Sequence, residues 1–229
     1  MTGRDNNLWL ELWRKRTTDF HQIAVNPLLS RFWPALGLEP GCLVFVPLCG
    51  KSLDMLWLAE QGHEVIGVEL SPLATRAFFR ENQLHPTRTQ EGQFTRWQHG
   101  RISILCGDYF ALTSADLGDI DTVYDRAALT ALPMELRQRY VTHLRRIVPA
   151  SANVFLLTIE DAEASDTLQQ AMGVDQELAA LYRADFEINL AHVESLFEND
   201  PQAPQTAPTR AEYKVYQLTG KSVVDAAKT

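Results

Sequence analysis

Residues 44–69, VFVPLCGKSLDMLWLAEQGHEVIGVE, constrain the fold more than any other stretch of the chain. They read as an apolar strand, a tight turn, a helix, and a second apolar strand that ends on a carboxylate. Two apolar strands joined by a helix make a parallel crossover, the building unit of an open α/β sheet. Such sheets take ligands at the carboxyl ends of their strands. Glu69 follows Gly50 by 19 residues, the spacing at which an acid bonds ribose hydroxyls. The loop itself is PLCGKSLD rather than GxGxxG. Only Gly50 in it adopts a strained backbone without steric cost, and no helix start is stripped of side chains for a pyrophosphate. A ligand with a ribose and no phosphate fits this chemistry better, which disfavours a nicotinamide-linked oxidoreductase.

S-adenosylmethionine, cationic at sulfur, is such a ligand. The extended stretch VPLCGKSLDMLWLAEQGHEVIGVELS is accompanied, in order, by Trp13 with Phe20-His21, VNPLLSRFWPALGL at 25–38, CGDYFAL at 106–112 and YDRAALTALP at 124–133. Over roughly the first two-thirds of the chain, these segments together resemble the thiopurine S-methyltransferase family, a branch of the class I adenosylmethionine-dependent methyltransferases. The resemblance implies a doubly wound, mostly parallel α/β sheet of the seven-stranded, Rossmann-like methyltransferase type, with helices on both faces and an antiparallel final strand.

Local patterns agree with that architecture. A helix bearing Trp9 and Trp13 is expected at 7–16, and a second begins at Asn26-Pro27, with Pro34 kinking or ending it. Strands are expected at 42–46, 64–68, 93–98, 101–105, 122–124 and 153–159, with helices over 51–61, 72–83 and 134–147. Ser71-Pro72 marks a helix start, since Ser caps and Pro fits the first turn. YKVYQL at 213–218 reads as the last strand.

Composition narrows the function classes. The 229 residues suit one domain, with 1–38 as a helical cover and 160–212 as a divergent region. A net charge of −8 disfavours a broad nucleic-acid surface. Cys42, Cys49 and Cys106 lack metal-ligand spacing and read as reduced thiols of a cytoplasmic protein. Neither a signal peptide nor an 18-residue apolar span is visible, so no membrane partner is expected. The expected partner is a small-molecule acceptor, and the expected state a monomer or weak homodimer. No metal site is expected.

Candidate site residues fall at the carboxyl ends of the strands. Glu69 is the ribose partner, with Leu70 beside it. The resemblance implies backbone contact between Leu48 and Gly50 and the methionine part of the cofactor. Asp108 can accept from the adenine amino group and Tyr109 can supply an apolar face, although an aromatic there is more often plain packing. Asp125-Arg126 ends the fourth core strand, and the resemblance places Arg126 at the cofactor, near the reacting centre. Arg126 and Asp125 are accordingly the catalytic candidates, Arg126 steadying negative charge and Asp125 orienting the strand end. The resemblance also sets Trp13 beside the cofactor and Phe20 against the substrate. His21 could relay a proton, but a lone histidine is more often a structural hydrogen-bonder, so it stands outside the catalytic set.

The last third departs from the family pattern. An insertion over 161–185 carries Leu168, Met172, Leu178, Leu181 and Tyr182 at near-helical intervals, suggesting a helical hairpin. Pro201, Pro204 and Pro208 occupy the region of the penultimate strand, which is expected to be shortened because proline cannot donate to a ladder. The leading expectation is methyl transfer to sulfur of a thiol or heteroaromatic thione, or to selenium or tellurium. Such acceptors offer an anionic nucleophile near neutral pH without a dedicated base. The alternatives are an O- or N-methyltransferase of a small bacterial metabolite and a non-catalytic adenosylmethionine-binding module.

Overall fold

The computed structural model describes residues 3–15, 22–161, 175–198 and 209–221. The chain forms two compact units, one of residues 1–124 and 142–149, the other of residues 125–141 and 150–229.

In the first unit, α1 (Gly3–Lys15) and α2 (Pro27–Phe32) precede β1 (Leu43–Val46), α3 (Asp54–Glu60), β2 (Glu64–Glu69) and α4 (Pro72–Glu81). There follow β3 (Thr87–Glu91), β4 (Phe94–His99), β5 (Ile102–Cys106), α5 (Ser114–Leu117) and β6 (Thr122–Arg126), whose last two residues belong to the second unit. Strands run in the order β3-β4-β5-β2-β1-β6. β1 pairs in parallel with β2 and β6, and β2 with β5. Val44, Phe45, Val65, Val68, Ile104 and Val123 are all buried, the unbroken apolar run of strands covered on both faces.

The helix starts follow local chemistry. Asn26 Oδ1 accepts the Leu28 amide at 2.9 Å, and Pro27 occupies the first turn. Ser71 Oγ accepts the Ala74 amide at 3.4 Å, again with proline next. Pro34 converts the end of α2 into a 3₁₀ turn over Trp33–Leu36, closed by Gly37 at φ 60°. One strand was not expected from the sequence: β3, TRTQE, which pairs antiparallel with β4. It is an edge strand with four of its five residues exposed, so it carries no apolar alternation to read.

The second unit holds α6 (Ala128–Ala131), most of α7 (Met134–Ile147), β7 (Asn153–Asp161), α8 (Gln176–Tyr182), β8 (Phe186–Glu198) and β9 (Thr209–Gly220). β9 lies between β7 and β8, antiparallel to both. The expected shortening of the penultimate strand does not occur. β8 is 13 residues long and pairs with β9 from Phe186 to Glu198. Pro201, Pro204 and Pro208 follow it in the chain and lie outside the described residues. Of the helical hairpin expected over 161–185, α8 is present, with Leu178, Leu181 and Tyr182 buried. Leu168 and Met172 lie outside the described residues.

Candidate functional site

The turn after β1 is built on two left-handed residues, Leu48 at φ 47° and Gly50 at φ 55°. A branched-at-γ residue such as leucine rarely adopts this region, so the turn holds strain of the kind found at ligand clamps. Two backbone bonds fix it: the Cys49 amide donates to the Val68 carbonyl at 2.9 Å, and the Ser52 amide to the Cys49 carbonyl at 3.1 Å. The turn is thereby tied to the end of β2.

Glu69 closes that end. Its Oε2 accepts the Gly50 amide at 2.9 Å and its Oε1 accepts the Ser71 amide at 2.7 Å. Each oxygen keeps a lone pair, so two further donors fit on one carboxylate. Glu69 is only 6% exposed. Burial pushes its carboxyl up to about 7, although the amides of Ser71, Gly50 and Leu70 pull the other way. Leu70 is half-buried between Glu69 and the cap residue Ser71.

Trp13 reaches this turn from α1. A Cβ built on Gly50 stands 3.4 Å from Trp13 Cζ2, an ordinary van der Waals contact, so the indole lies directly against the turn. On the neighbouring strand, Cys106 is in register with Glu69, and the Gly107 amide donates to the Glu69 carbonyl at 2.9 Å. Asp108 comes next. Its Oδ1 accepts the Phe110 amide at 3.0 Å and its Oδ2 accepts Asn6 Nδ2 at 3.1 Å. Tyr109 is 1% exposed, edge-on to Phe110 and His143 at 5.2 and 5.1 Å. Its ring is packing in this arrangement. Phe20 and His21 lie outside the described residues.

Asp125 and Arg126 belong to the second unit. Asp125 is fully buried: Oδ1 accepts the Ala128 and Leu129 amides at 3.0 and 3.4 Å, and Oδ2 accepts the Tyr140 hydroxyl at 2.7 Å. Burial raises its carboxyl to about 6 against those three donors. The bonds hold a sharp turn in which Ala127 is left-handed at φ 60° and donates to the Leu157 carbonyl at 3.1 Å. Asp125 thus anchors the backbone on which Arg126 stands, half-buried, at the end of β6.

Two groups near the site carried no signal in the sequence. Asp54 is 1% exposed and accepts the Asn26 amide and the Tyr124 hydroxyl, both at 2.8 Å, joining the start of α2 to β6. Asn6 was equally silent, because an Asn on a helix near a chain end is ordinary. Among the described residues no group of three or more His, Cys, Asp or Glu side chains can hold a metal ion. Burial raises the Cys49 thiol well above its ordinary range, helped by Glu69, and burial raises Cys106 also, so neither is a ready thiolate. No described helix is long and apolar enough to cross a membrane.

The arrangement passes a physical test for an adenosyl sulfonium. A buried carboxylate with two open lone pairs suits a vicinal diol, and its negative charge favours a cation nearby. The Trp13 indole lies beside the Gly50 turn, and an indole face attracts a sulfonium.

Comparison with known proteins agrees. The family profile of thiopurine S-methyltransferase matches residues 4–221. A thiopurine S-methyltransferase of Stutzerimonas stutzeri is 72% identical over 221 residues, 96% of this chain and 93% of that protein. One of Bordetella petrii is 42% identical over 93% of this chain and 98% of its own length. Among solved structures, an adenosylmethionine-dependent methyltransferase of Anabaena variabilis superposes with TM-score 0.63 at 16% identity, covering 93% of this chain and 94% of that one. The 1,6-didemethyltoxoflavin-N1-methyltransferase of Burkholderia thailandensis, solved with S-adenosylhomocysteine, gives 0.59 at 17% identity, covering 93% and 87%. At such identities these two structures speak for the Rossmann-like methyltransferase fold.

Proposed function

The chain belongs to the thiopurine S-methyltransferase family, and from that premise we propose that Glu69 holds the ribose of the cofactor while the acceptor is a small soft nucleophile. The enzyme is an S-adenosylmethionine-dependent methyltransferase that methylates sulfur. Bound, the cofactor supplies a methyl carbon on a sulfonium, open to in-line displacement by an electron pair of the acceptor.

The protein's part is alignment. Glu69 accepts both ribose hydroxyls on the lone pairs left after Gly50 and Ser71 have bonded. The Leu48–Gly50 turn presents backbone to the methionine part, and Leu70 flanks the sugar. Trp13 covers the turn and keeps water from it. Asp108 accepts from the purine end. Asp125 holds the turn after β6, and we assign Arg126, its neighbour in the chain, to negative charge on the acceptor. That assignment, like that of Phe20 to the acceptor, rests on the family resemblance. A thiol acceptor of low pKa releases its proton to solvent before attack, so no protein base is required.

The observation that carries this reading is the Glu69 carboxylate, buried yet left with two acceptor sites. Among acceptors we favour thiols and heteroaromatic thiones, with selenium and tellurium species as softer analogues. Incubation with methyl-labelled cofactor and a panel of sulfur, oxygen and nitrogen acceptors tests it. Label on sulfur is expected; label on oxygen or nitrogen alone would overturn the acceptor assignment and leave the cofactor site standing.

A further inference from the structure

Helix α1 meets the site at two points. Trp13 covers Gly50, and Asn6, seven residues earlier and so on the same helix face, bonds Asp108. A carboxylate only accepts, so the Asn6 carboxamide must turn its Nδ2 toward Asp108. Its Oδ1 then points away. That oxygen is buried and has no hydrogen-bond partner among the described residues. A buried carbonyl without a donor opposes folding, and its presence calls for a donor from elsewhere.

Asp108 has capacity to spare as well. Each of its oxygens takes one protein donor, Phe110 N on Oδ1 and Asn6 Nδ2 on Oδ2, and retains a lone pair. The pair sits at the right remove from the ribose partner. Glu69 is in register with Cys106 one strand away, and Asp108 follows two residues later. One strand spacing of about 5 Å plus that short advance matches the reach from a sugar to the far edge of its base.

We propose that Asn6 is a cofactor-specificity residue, its Oδ1 and the Asp108 carboxylate accepting the two N–H bonds of the purine 6-amino group. The proposal rests on the cofactor reading above and adds to it the residue that distinguishes a 6-amino from a 6-oxo purine. One nitrogen carrying two donors satisfies two neighbouring acceptors. A 6-oxo purine would set a third acceptor against them, and a hydroxyl would satisfy only one.

Calorimetric titration of S-adenosylhomocysteine and its 6-oxo counterpart, S-inosylhomocysteine, into the wild type, Asn6→Ala and Asn6→Leu tests this. The wild type should prefer the amino form by about a hundredfold, and both variants should narrow that preference roughly tenfold. If Asn6 only docks the helix, both ligands weaken equally and the preference stands, which overturns the proposal; an unaltered pair of affinities does the same. Should the two variants disagree, Asn6→Leu decides, because it keeps the side-chain volume. A wild type that binds neither ligand would overturn the cofactor reading itself, a different result from an unchanged preference.

Discussion

At Glu69 two demands oppose each other. The ribose requires an ionised acceptor, yet burial raises the carboxyl to about 7. Hydroxyl donors stabilise the charged form, so binding lowers this pKa and releases a proton wherever the free carboxyl is protonated. Affinity for S-adenosylhomocysteine should therefore rise with pH, by up to about tenfold per unit below 7, and level off above it. Calorimetry in buffers of different ionisation enthalpy should show proton release only on the acid side. Glu69→Ala should weaken binding by a hundredfold or more, on the order of two charged hydrogen bonds. Asp125 makes the opposite use of burial, with both oxygens engaged by the protein. Its folded pKa of about 6 lies above the ordinary 3.8. Its contribution to stability is therefore fullest below 3.8 and is lost as pH rises through 6, on the order of 3 kcal/mol in total. Asp125→Asn should flatten denaturation midpoints across that window; an unchanged slope would remove the assignment. Nothing in the residue letters separates these two acids. Both end apolar strands, and only the number of donors packed around each tells an open carboxylate from an occupied one.

Among the elements, β2 lies close against the turn after β1 and against α3 at Gly67. A Cβ there would stand 2.7 Å from Cys49 Sγ and 3.2 Å from Met55 Sδ. Gly67→Ala should lower the thermal midpoint, by an amount corresponding to about 1–3 kcal/mol of overpacking. Cys49→Ala in the same chain should restore part of it, and additive losses would show that the two do not touch. Helices with a cap and a proline were legible in the sequence, as at Asn26-Pro27 and Ser71-Pro72, because the bonds that start them are local. β3 was illegible, since a polar edge strand owes its form to the ladder with β4. The length of β8 was misjudged for a related reason. Proline argues against a strand only at positions where the ladder needs an N–H, and the register of β8 with β9 ends at Glu198, before Pro201 in the chain.

On the scale of the whole molecule, cofactor binding should be visible as stability. Ligand at a hundred times its Kd adds about 2.7 kcal/mol, which for a chain of this size raises Tm by about 5–10 °C. S-adenosylhomocysteine should produce that shift in scanning calorimetry and a reduced nicotinamide dinucleotide should not; a shift with the latter alone would restore the oxidoreductase alternative. The sequence by itself determined the parallel crossover from β1 to β2, the position of Glu69 at its end and the caps of α2 and α4. Each of these depends on residues within a few turns of one another, and local sterics and hydrogen bonds suffice to specify it. The tertiary structure alone decided that Asn6 meets Asp108, 102 residues away, and that Asp54 is consumed in joining α2 to β6. It likewise decided which carboxylates keep an open lone pair. Desolvation and partner count belong to whatever packs around a group, and no spacing along the chain encodes them.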